Sequence, residues 1–449
     1  MENKTGKFLA GYGEADITPD YSVPLAGFGN SHLRMSDTVL SRFKCQCTAM
    51  MDTEGNTLLM FTYDLVRVRT IFFEQLVAYF EEKHGIPEAY IHLTASHSES
   101  SPDTWATEKC PQMLEYNKMV VEKLIECGEA ALADLSPATL AYGSTHCRNL
   151  NFVKHAFFDT GVSLGDNKGR ASDGNVVQHT TKVDDLLLAI RIEREEKKPI
   201  LFVNWRAHNQ FTCGSTKKYL CADYVGALRD CAMEKFGAHL QFFMGAAGNV
   251  NPYSYIRSEE RTRDYIQYAQ FLTEYLYDIL HNLTPIAAGR IKANKVMVTG
   301  KINHDEDCRI EDAERVWELN AKAKDFAEPA ALAKSLGFNS TYHALGVCRR
   351  YNAPATRDYA ISVWAIGDLG FNCTQFETFD TLGKFIRENS PYPFQFVLGY
   401  SDDESAYMPS AYSYEYGCYE ADNSMFAIGT GEQMAAKSVQ MLIDLKYQR

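Results

Sequence analysis

The chain reads as an α/β protein, a large mixed sheet flanked by helices, forming one domain over residues 1–449. Three observations predict it. Short apolar runs alternate with amphipathic helical stretches from Phe8 to Leu445. Several of the runs, such as TLLMFTY and ILFVNW, are apolar at most positions, as in strands covered on both faces. No shift in composition marks a linker, and 45% hydrophobic content over 449 residues suffices for a large core.

Phe8–Tyr12 is the first strand, and Gly11–Gly29 adds turns, one of them set by Pro19. Cys45 and Cys47 stand two apart, so a strand sends both thiols to one face of the core, although the pair also offers two metal ligands. Thr57–Tyr63 is a buried strand ending at Asp64. The helix Ile71–Lys83 follows, with Phe72, Phe73, Leu76, Val77 and Phe80 on its apolar face. Gly85 stops it and Pro87 lies beyond. Tyr90–Leu93 is a strand, Met113–Leu132 a helix and Thr139–Tyr142 a strand. Cys147–Thr181 is irregular, rich in Gly, Asp and Asn, and long for a loop in a compact domain. Leu186–Ile192, Ile200–Trp205 and His239–Met244 are strands, with helix Ala222–Phe236 before the last. Glu259–His281 is a tyrosine-rich helix, Gly289–Ile302 a strand, and Ile310–Leu336 two helices split near Pro329. Asp358–Gly367 and Phe394–Leu398 are strands, Asp380–Glu388 and Gly431–Leu445 helices. No internal repeat is visible.

Charge excludes some partners. The chain has 45 Lys and Arg against 58 Asp and Glu, a net charge of −13. That argues against non-specific binding to nucleic acid or to an anionic membrane and leaves a small-molecule substrate as the expected partner. The 12 cysteines are scattered without a Cys-x-x-Cys pair, as expected of a reduced, cytoplasmic protein. Met1–Lys7 is polar, so no signal peptide is expected, and no apolar run has the length of a membrane-spanning helix. Oligomeric state is not written in the sequence.

Chemistry concentrates in Leu93–Asp103 (LTASHSESSPD), where His97 stands among five hydroxyl residues and Glu99. Burying such a cluster without partners costs about 1–3 kcal/mol per group, so it lines a site more readily than a core. Asp64, His97, His208, Asn249 and Glu377 each follow a predicted strand. In open α/β sheets that carboxyl edge is where ligands bind. Each also has an ordinary reading, a histidine as a structural hydrogen-bonding group or Asp64 as the cap of a turn. Gly245–Pro252 (GAAGNVNP) lacks the spacing of a phosphate loop. Two histidines and a carboxylate at one edge suit Zn²⁺ with an open water position, but ligands this far apart leave no local signal.

LTASHSESSPD resembles the Thr-His-Thr-His-Ser-Gly-Pro segment of the neutral (alkaline, non-lysosomal) ceramidase family. Other stretches resemble that family in order: GYGEADITP with PLAGFG, FVNWRAH with CADYVGAL, MGAAGNVNPY, FETFDTLGKFIRENS, LGYSDDESAY and Tyr419-Glu420. The resemblance implies a large α/β domain with a mixed sheet. It implies zinc held by His97, His208, Glu377 and Tyr407, with Tyr407 as a ligand or as a donor to an oxyanion. The sequence also departs from the family. Glu99 stands where the family has its second histidine, which makes it the expected general base. Asn251 takes the place of a proposed serine nucleophile and Asn249 that of the preceding Asp, so hydrolysis would proceed by attack of zinc-bound water. Arg148 or Lys154 would replace an Asn-Arg-Arg substrate-binding segment. The chain is expected to lack the family's smaller C-terminal β domain and a secretion signal, so a soluble substrate is expected rather than membrane ceramide.

The resulting expectation is a cytoplasmic zinc-dependent hydrolase of an amide or ester, with Glu99 and Tyr407 catalytic. Arg148, Asn249, Asn251, Asp223 and Asp64 are candidates for contacting substrate. One rival is a metal-dependent glycoside hydrolase or lyase, in which Glu99 and Asp402 or Asp403 flank the bond and the 26 Tyr and 25 Phe stack on sugar. The other is a metal-containing binding protein without catalysis.

Overall fold

The structure, a computed structural model, describes residues 3, 5–27, 34–159, 163–164, 176–214, 216–254, 264–323, 327–403 and 406–447. Within it one succession of elements occurs three times: three antiparallel strands, a helix, a strand parallel to the third, and a closing helix. The first unit comprises β1 (Leu9–Asp16), β2 (Lys44–Met51), β3 (Thr57–Tyr63), α1 (Thr70–His84), β4 (Ile91–Ala95) and α2 (Gln112–Ala133). The second comprises β5 (Ser136–His146), β6 (Leu186–Arg194), β7 (Lys197–Trp205), α3 (Asp223–Phe236), β8 (His239–Met244) and α4 (Tyr265–Leu280).

The third unit starts at β9 (Ile291–Lys301), then inserts α5 (Ile310–Lys322), α6 (Ala327–Ser335) and α7 (Thr341–Tyr351). It resumes with β10 (Thr356–Ile366), β11 (Leu369–Thr374), α8 (Asp380–Asn389) and β12 (Phe394–Leu398). The short helices α9 (Ala411–Tyr416) and α10 (Tyr419–Asn423) precede the closing α11 (Thr430–Tyr447). The sequence hides this repetition because hydrophobic periods of two and 3.6 can recur without any residue identity.

The first two units join through β1 and β5, which pair at Leu9↔Pro137 and Ala10↔Ser136. They form a nine-stranded sheet in the order β8-β7-β6-β5-β1-β2-β3-β4, with Thr284–Ile286 added on β5. The third unit makes its own four-stranded sheet, β9-β10-β11-β12. Strand alternation gives the large sheet two apolar faces. On one, Cys45, Cys47, Leu59 and Phe61 meet Phe80, Leu124, Tyr224 and Leu276 of α1–α4. On the other, Met50, Met60, Ile190 and Phe243 meet Trp364, Phe371 and Phe396 of the second sheet. Behind that sheet α8 and α11 supply Leu382, Ile386, Met434 and Leu442. The mixed α/β fold is as expected, with the detail that a second sheet, rather than helices, covers one face of the first.

Helix α2 lies directly on β1. A Cβ at Gly11 would stand 2.0 Å from the carbonyl oxygen of Ala131, and one at Gly13 would stand 2.3 Å from that of Cys127. Cys45 and Cys47 are core residues, the Cys45 thiol 3.4 Å from that of Cys127, and all 12 cysteines are free thiols.

Several boundaries differ from expectation. Strand β11 and helix α7 were not apparent in the sequence. The α5–α6 break follows Lys322, while Pro329 sits in the first turn of α6, where its missing N–H leaves no bond unmade. Residues 259–263 of the expected tyrosine-rich helix lie outside the described residues. The described helix starts at Tyr265, behind a capping box in which Asp264 accepts from the Gln267 N–H at 2.8 Å. Within Cys147–Thr181 the strands Ala156–Phe158, Ser163–Leu164 and Val176–His179 form a small sheet. Residues 160–162 and 165–175 of that segment lie outside the described residues, as do Phe28 and Gly29. Among the described residues no helix is long and apolar enough to cross a membrane.

Candidate metal centre

A parallel strand pair needs a crossover, and each unit supplies one as a helix. The pairs β3–β4, β7–β8 and β11–β12 therefore send six loops off their carboxyl ends. Those loops carry Asp64 and His97, His208 and Asn249, Glu377 and Tyr400. The edge foreseen for the site is the one observed.

His97, His208 and Glu377 converge there, all three buried, with one ligand atom of each within 4.8 Å of the others. Glu377 Oε2 lies 3.5 Å from His97 Nε2 and 3.6 Å from His208 Nε2. The two imidazoles meet edge to face, centroids 4.7 Å apart. Each ring is aimed from behind: His97 Nδ1 donates to the Val66 carbonyl at 2.6 Å, and His208 Nδ1 to that of Val250 at 3.2 Å. A carbonyl only accepts, so both Nδ1 atoms carry the proton and both Nε2 atoms present a lone pair to the centre.

Backbone strain borders the same place. His97, Tyr400, Asp402 and Asp223 have φ of 59°, 54°, 67° and 56°, left-handed values that cost non-glycine residues of order 1–3 kcal/mol each.

Electrostatics favour a neutral imidazole against an anionic carboxylate. Burial pushes His97 down to about 3, with His208 and Arg67 adding to it and Glu377 opposing. Burial alone would raise the Glu377 carboxyl, but attraction to the two histidines in their protonated form and to Arg67 outweighs it and holds it at about 2. Glu377 Oε2 is nevertheless a buried oxygen with no hydrogen-bond partner. An orphaned carboxylate oxygen facing two imidazole lone pairs is a donor set that wants a cation. Ligands 2.0–2.2 Å from a tetrahedral zinc stand roughly 3.3–3.6 Å apart, which the two Glu377 separations match. Residues and metal therefore fit.

Glu99 is the next carboxylate out. Its Oε1 lies 4.0 Å from Nε2 of both His97 and His208, and Cys213 Sγ donates to its Oε2 at 3.5 Å. Tyr407 is brought alongside Glu377 as its partner in a two-residue parallel ladder, and its ring packs on Tyr419 at 5.8 Å.

The remaining expected residues are placed as follows. Asp64 forms a buried two-pronged pair with Arg229 and accepts from the Lys44 N–H. Asp223 Oδ2 accepts from both the N–H and hydroxyl of Thr212 at 2.7 Å, bracing the loop after His208. Asn249 Nδ2 donates to Asp380 Oδ1 at 2.8 Å while its Oδ1 accepts the Asp380 N–H at 2.9 Å, which ties it to the start of α8. Asn251 Oδ1 accepts from Gln210 at 2.6 Å. Arg148 is exposed and makes no hydrogen bond or ion pair with a described residue. Asp402 accepts from the Leu93 N–H at 3.0 Å and meets His92 Nδ1 at 2.9 Å, joining β4 to the loop after β12.

Two further residues stand at the centre, Lys154, which the resemblance offered as a substrate-binding substitute, and Tyr400, which the sequence reading did not single out. Lys154 is buried, its Nζ donating to His208 Nε2 at 3.1 Å and to Glu420 Oε1 at 3.4 Å. A nitrogen that accepts from Lys154 cannot bind a metal at the same time, so His208 would hold a metal only with the ammonium turned away, and Glu420 is the acceptor it already has. Burial would raise Glu420, but His155 and Lys154 hold it down at about 2. Tyr400 packs on His97 at 4.2 Å with its hydroxyl buried beside Glu377, and burial, with Glu377 and Glu99, pushes that hydroxyl well up. Its signal was available, since it follows β12 as His97 follows β4.

Neither a family model nor a curated protein matches the sequence. Solved structures share the fold. The neutral ceramidase from Pseudomonas aeruginosa superposes with a TM-score of 0.73 at 15% identity, over 98% of this chain and 75% of that one. A ceramidase complexed with C2 gives 0.74 at 15% identity, over 98% and 76%. The chain thus has the neutral ceramidase fold.

Proposed function

We propose that this chain is a zinc-dependent hydrolase, a ceramidase-like amidohydrolase cleaving an amide, or an ester, of a small soluble molecule. The observation that carries the reading is the buried His97–His208–Glu377 cluster, with Glu99 just beyond it and equidistant from both imidazoles. The ceramidase fold of the chain supports it.

A zinc ion in such a set supplies Lewis acidity towards a carbonyl oxygen and makes water nucleophilic near neutral pH. The chain's own groups do the rest. Glu99, steadied at Oε2 by Cys213, takes the proton of the attacking water at Oε1 and returns it to the leaving amine. Lys154, turned from His208, and Tyr407 are the donors available to a developing oxyanion. Asn251 is no nucleophile and its amide is engaged by Gln210, which favours direct attack by water. The twelve free thiols suit a reducing cytoplasm, which we propose as its location.

A glycosidic rival needs a second free carboxylate. Asp402 is committed to His92 and Leu93, and Asp403 accepts from Thr70, so hydrolysis of an acyl bond is preferred. The test is metal analysis of purified protein, followed by a panel of N-acyl compounds and aryl glycosides. About one zinc per chain with N-acyl turnover is expected. Substoichiometric zinc after reconstitution, or turnover of glycosides alone, overturns the reading.

A further inference from the structure

We propose that Arg67, Arg349 and Trp105 form an anion-recognising subsite beside the metal centre, so that the amide cleaved there carries a carboxylate. This inference rests on the hydrolase reading and names its substrate class.

Arg67 follows Val66, whose carbonyl orients His97, so the loop that aims the first histidine also carries the guanidinium. Its charge acts on both His97 and Glu377. The Arg67 guanidinium carbon lies 5.2 Å from the centre of the half-buried Trp105 indole, and that of Arg69 lies 5.3 Å from it. Arg349, exposed on α7, stands close enough for Arg67 to act on it as a like charge, and it also interacts with Tyr419, the ring packed on Tyr407. Two guanidinium groups thus share the Trp105 ring, and Arg349 adds a third cation within electrostatic range of Arg67.

These cations lack anionic partners. Among the described residues none of Arg67, Arg69 or Arg349 lies within 4.0 Å of a carboxylate oxygen, although the chain has 58 acidic residues against 45 basic. Arg67 donates no hydrogen bond to a described residue. Arg69 donates to the Thr104 carbonyl, and Arg349 to the Asn423 amide oxygen at 2.8 Å. The acidic groups facing this region are already engaged, Asp403 by Thr70, with Glu99 and Glu377 in the centre itself. Like charges gathered around one indole repel, and a bound anion relieves the repulsion. The planar guanidinium fork matches a carboxylate, while the indole covers the adjoining apolar part of the ligand. The remainder of the molecule then reaches Glu99 and the two imidazoles with its amide.

The test compares N-acetylphenylalanine with its carboxamide on metal-replete protein, and repeats the pair on R67Q/R349Q. Wild type should favour the acid at least tenfold in kcat/KM, and the variant should shrink that ratio at least tenfold, mainly through KM. An acid-to-amide ratio near one, or a ratio unchanged in the variant, overturns the proposal. If neither compound is turned over, calorimetric binding separates the two readings. Tighter binding of the acid that is lost in R67Q/R349Q keeps the subsite and removes the hydrolase, whereas no preference removes the subsite. Full zinc content and an unchanged unfolding midpoint show that the variant has folded.

Discussion

Replacing Glu99 by Gln separates two roles that its position allows. The Glu377 oxygen stands 3.5 and 3.6 Å from the imidazole nitrogens, whereas the Glu99 oxygen stands 4.0 Å from both. Ligands of one tetrahedral zinc lie roughly 3.3–3.6 Å apart, so Glu99 falls about half an ångström outside the shell, within reach of a water held there. Glutamine keeps the shape and the Cys213 contact but cannot take a proton. E99Q should therefore keep close to one zinc per chain while kcat falls by roughly 10²–10⁴, about 2.7–5.5 kcal/mol of transition-state stabilisation. Zinc is read by metal analysis after dialysis and kcat with the best N-acyl substrate. Loss of zinc would make Glu99 a ligand, and an unchanged kcat would remove its role as base. Either result refutes the reasoning.

Other perturbations follow the same geometry. Glu377→Gln should strip zinc under dialysis that leaves wild type loaded, because a neutral amide replaces the anion between two imidazoles; retained metal contradicts the ligand set. Lys154→Met removes the ammonium that competes for His208 Nε2, so zinc should bind several-fold tighter by competition with a chelator; weaker binding would show that Lys154 supports the site. Gly248→Ala puts a Cβ 2.2 Å from the Glu377 carbonyl oxygen, so a loss of about 1–3 kcal/mol in urea unfolding should accompany weaker zinc binding. In metal-free protein the folded His97 takes its proton near pH 3 while the unfolded chain takes it near the ordinary 6.5. The unfolded state then binds more protons across that window, so stability falls as pH falls, with a slope approaching 1.4 kcal/mol per pH unit. Urea titrations at pH 7 and 5 should show a shallower fall in His97→Gln; an equal fall refutes it.

The sequence carried much of this, for identifiable reasons. Thr57–Tyr63 reads as a buried strand because both its faces are largely apolar, and the helix face of Phe72, Phe73, Leu76 and Phe80 follows a 3.6 period that is buried, with Val77 half-buried beside it. Helix α7 was missed because its buried face includes Thr341, His343, Gly346 and Arg350, which form no apolar stripe. The polar residues following buried strands pointed to the edge where the centre lies. They did not separate ligands from braces: Asp64 and Asn249 occupy the same kind of position as His208 and Glu377, yet their oxygens are taken up by Arg229 and Asp380.

By itself the sequence determined the α/β class, the polar stretch around His97 and the residue types at each strand end, since these follow from local periodicity and from the cost of burying unpaired polar groups. Only the tertiary structure decided that three repeated units bring His97, His208 and Glu377 within 4.8 Å, that Lys154 and Tyr400 stand among them, and that Arg67 and Arg69 meet over the Trp105 ring. Those facts depend on how parallel strand pairs from two sheets align their carboxyl ends. Such long-range pairing is set by packing across the chain and leaves no trace in the spacing of residues along it.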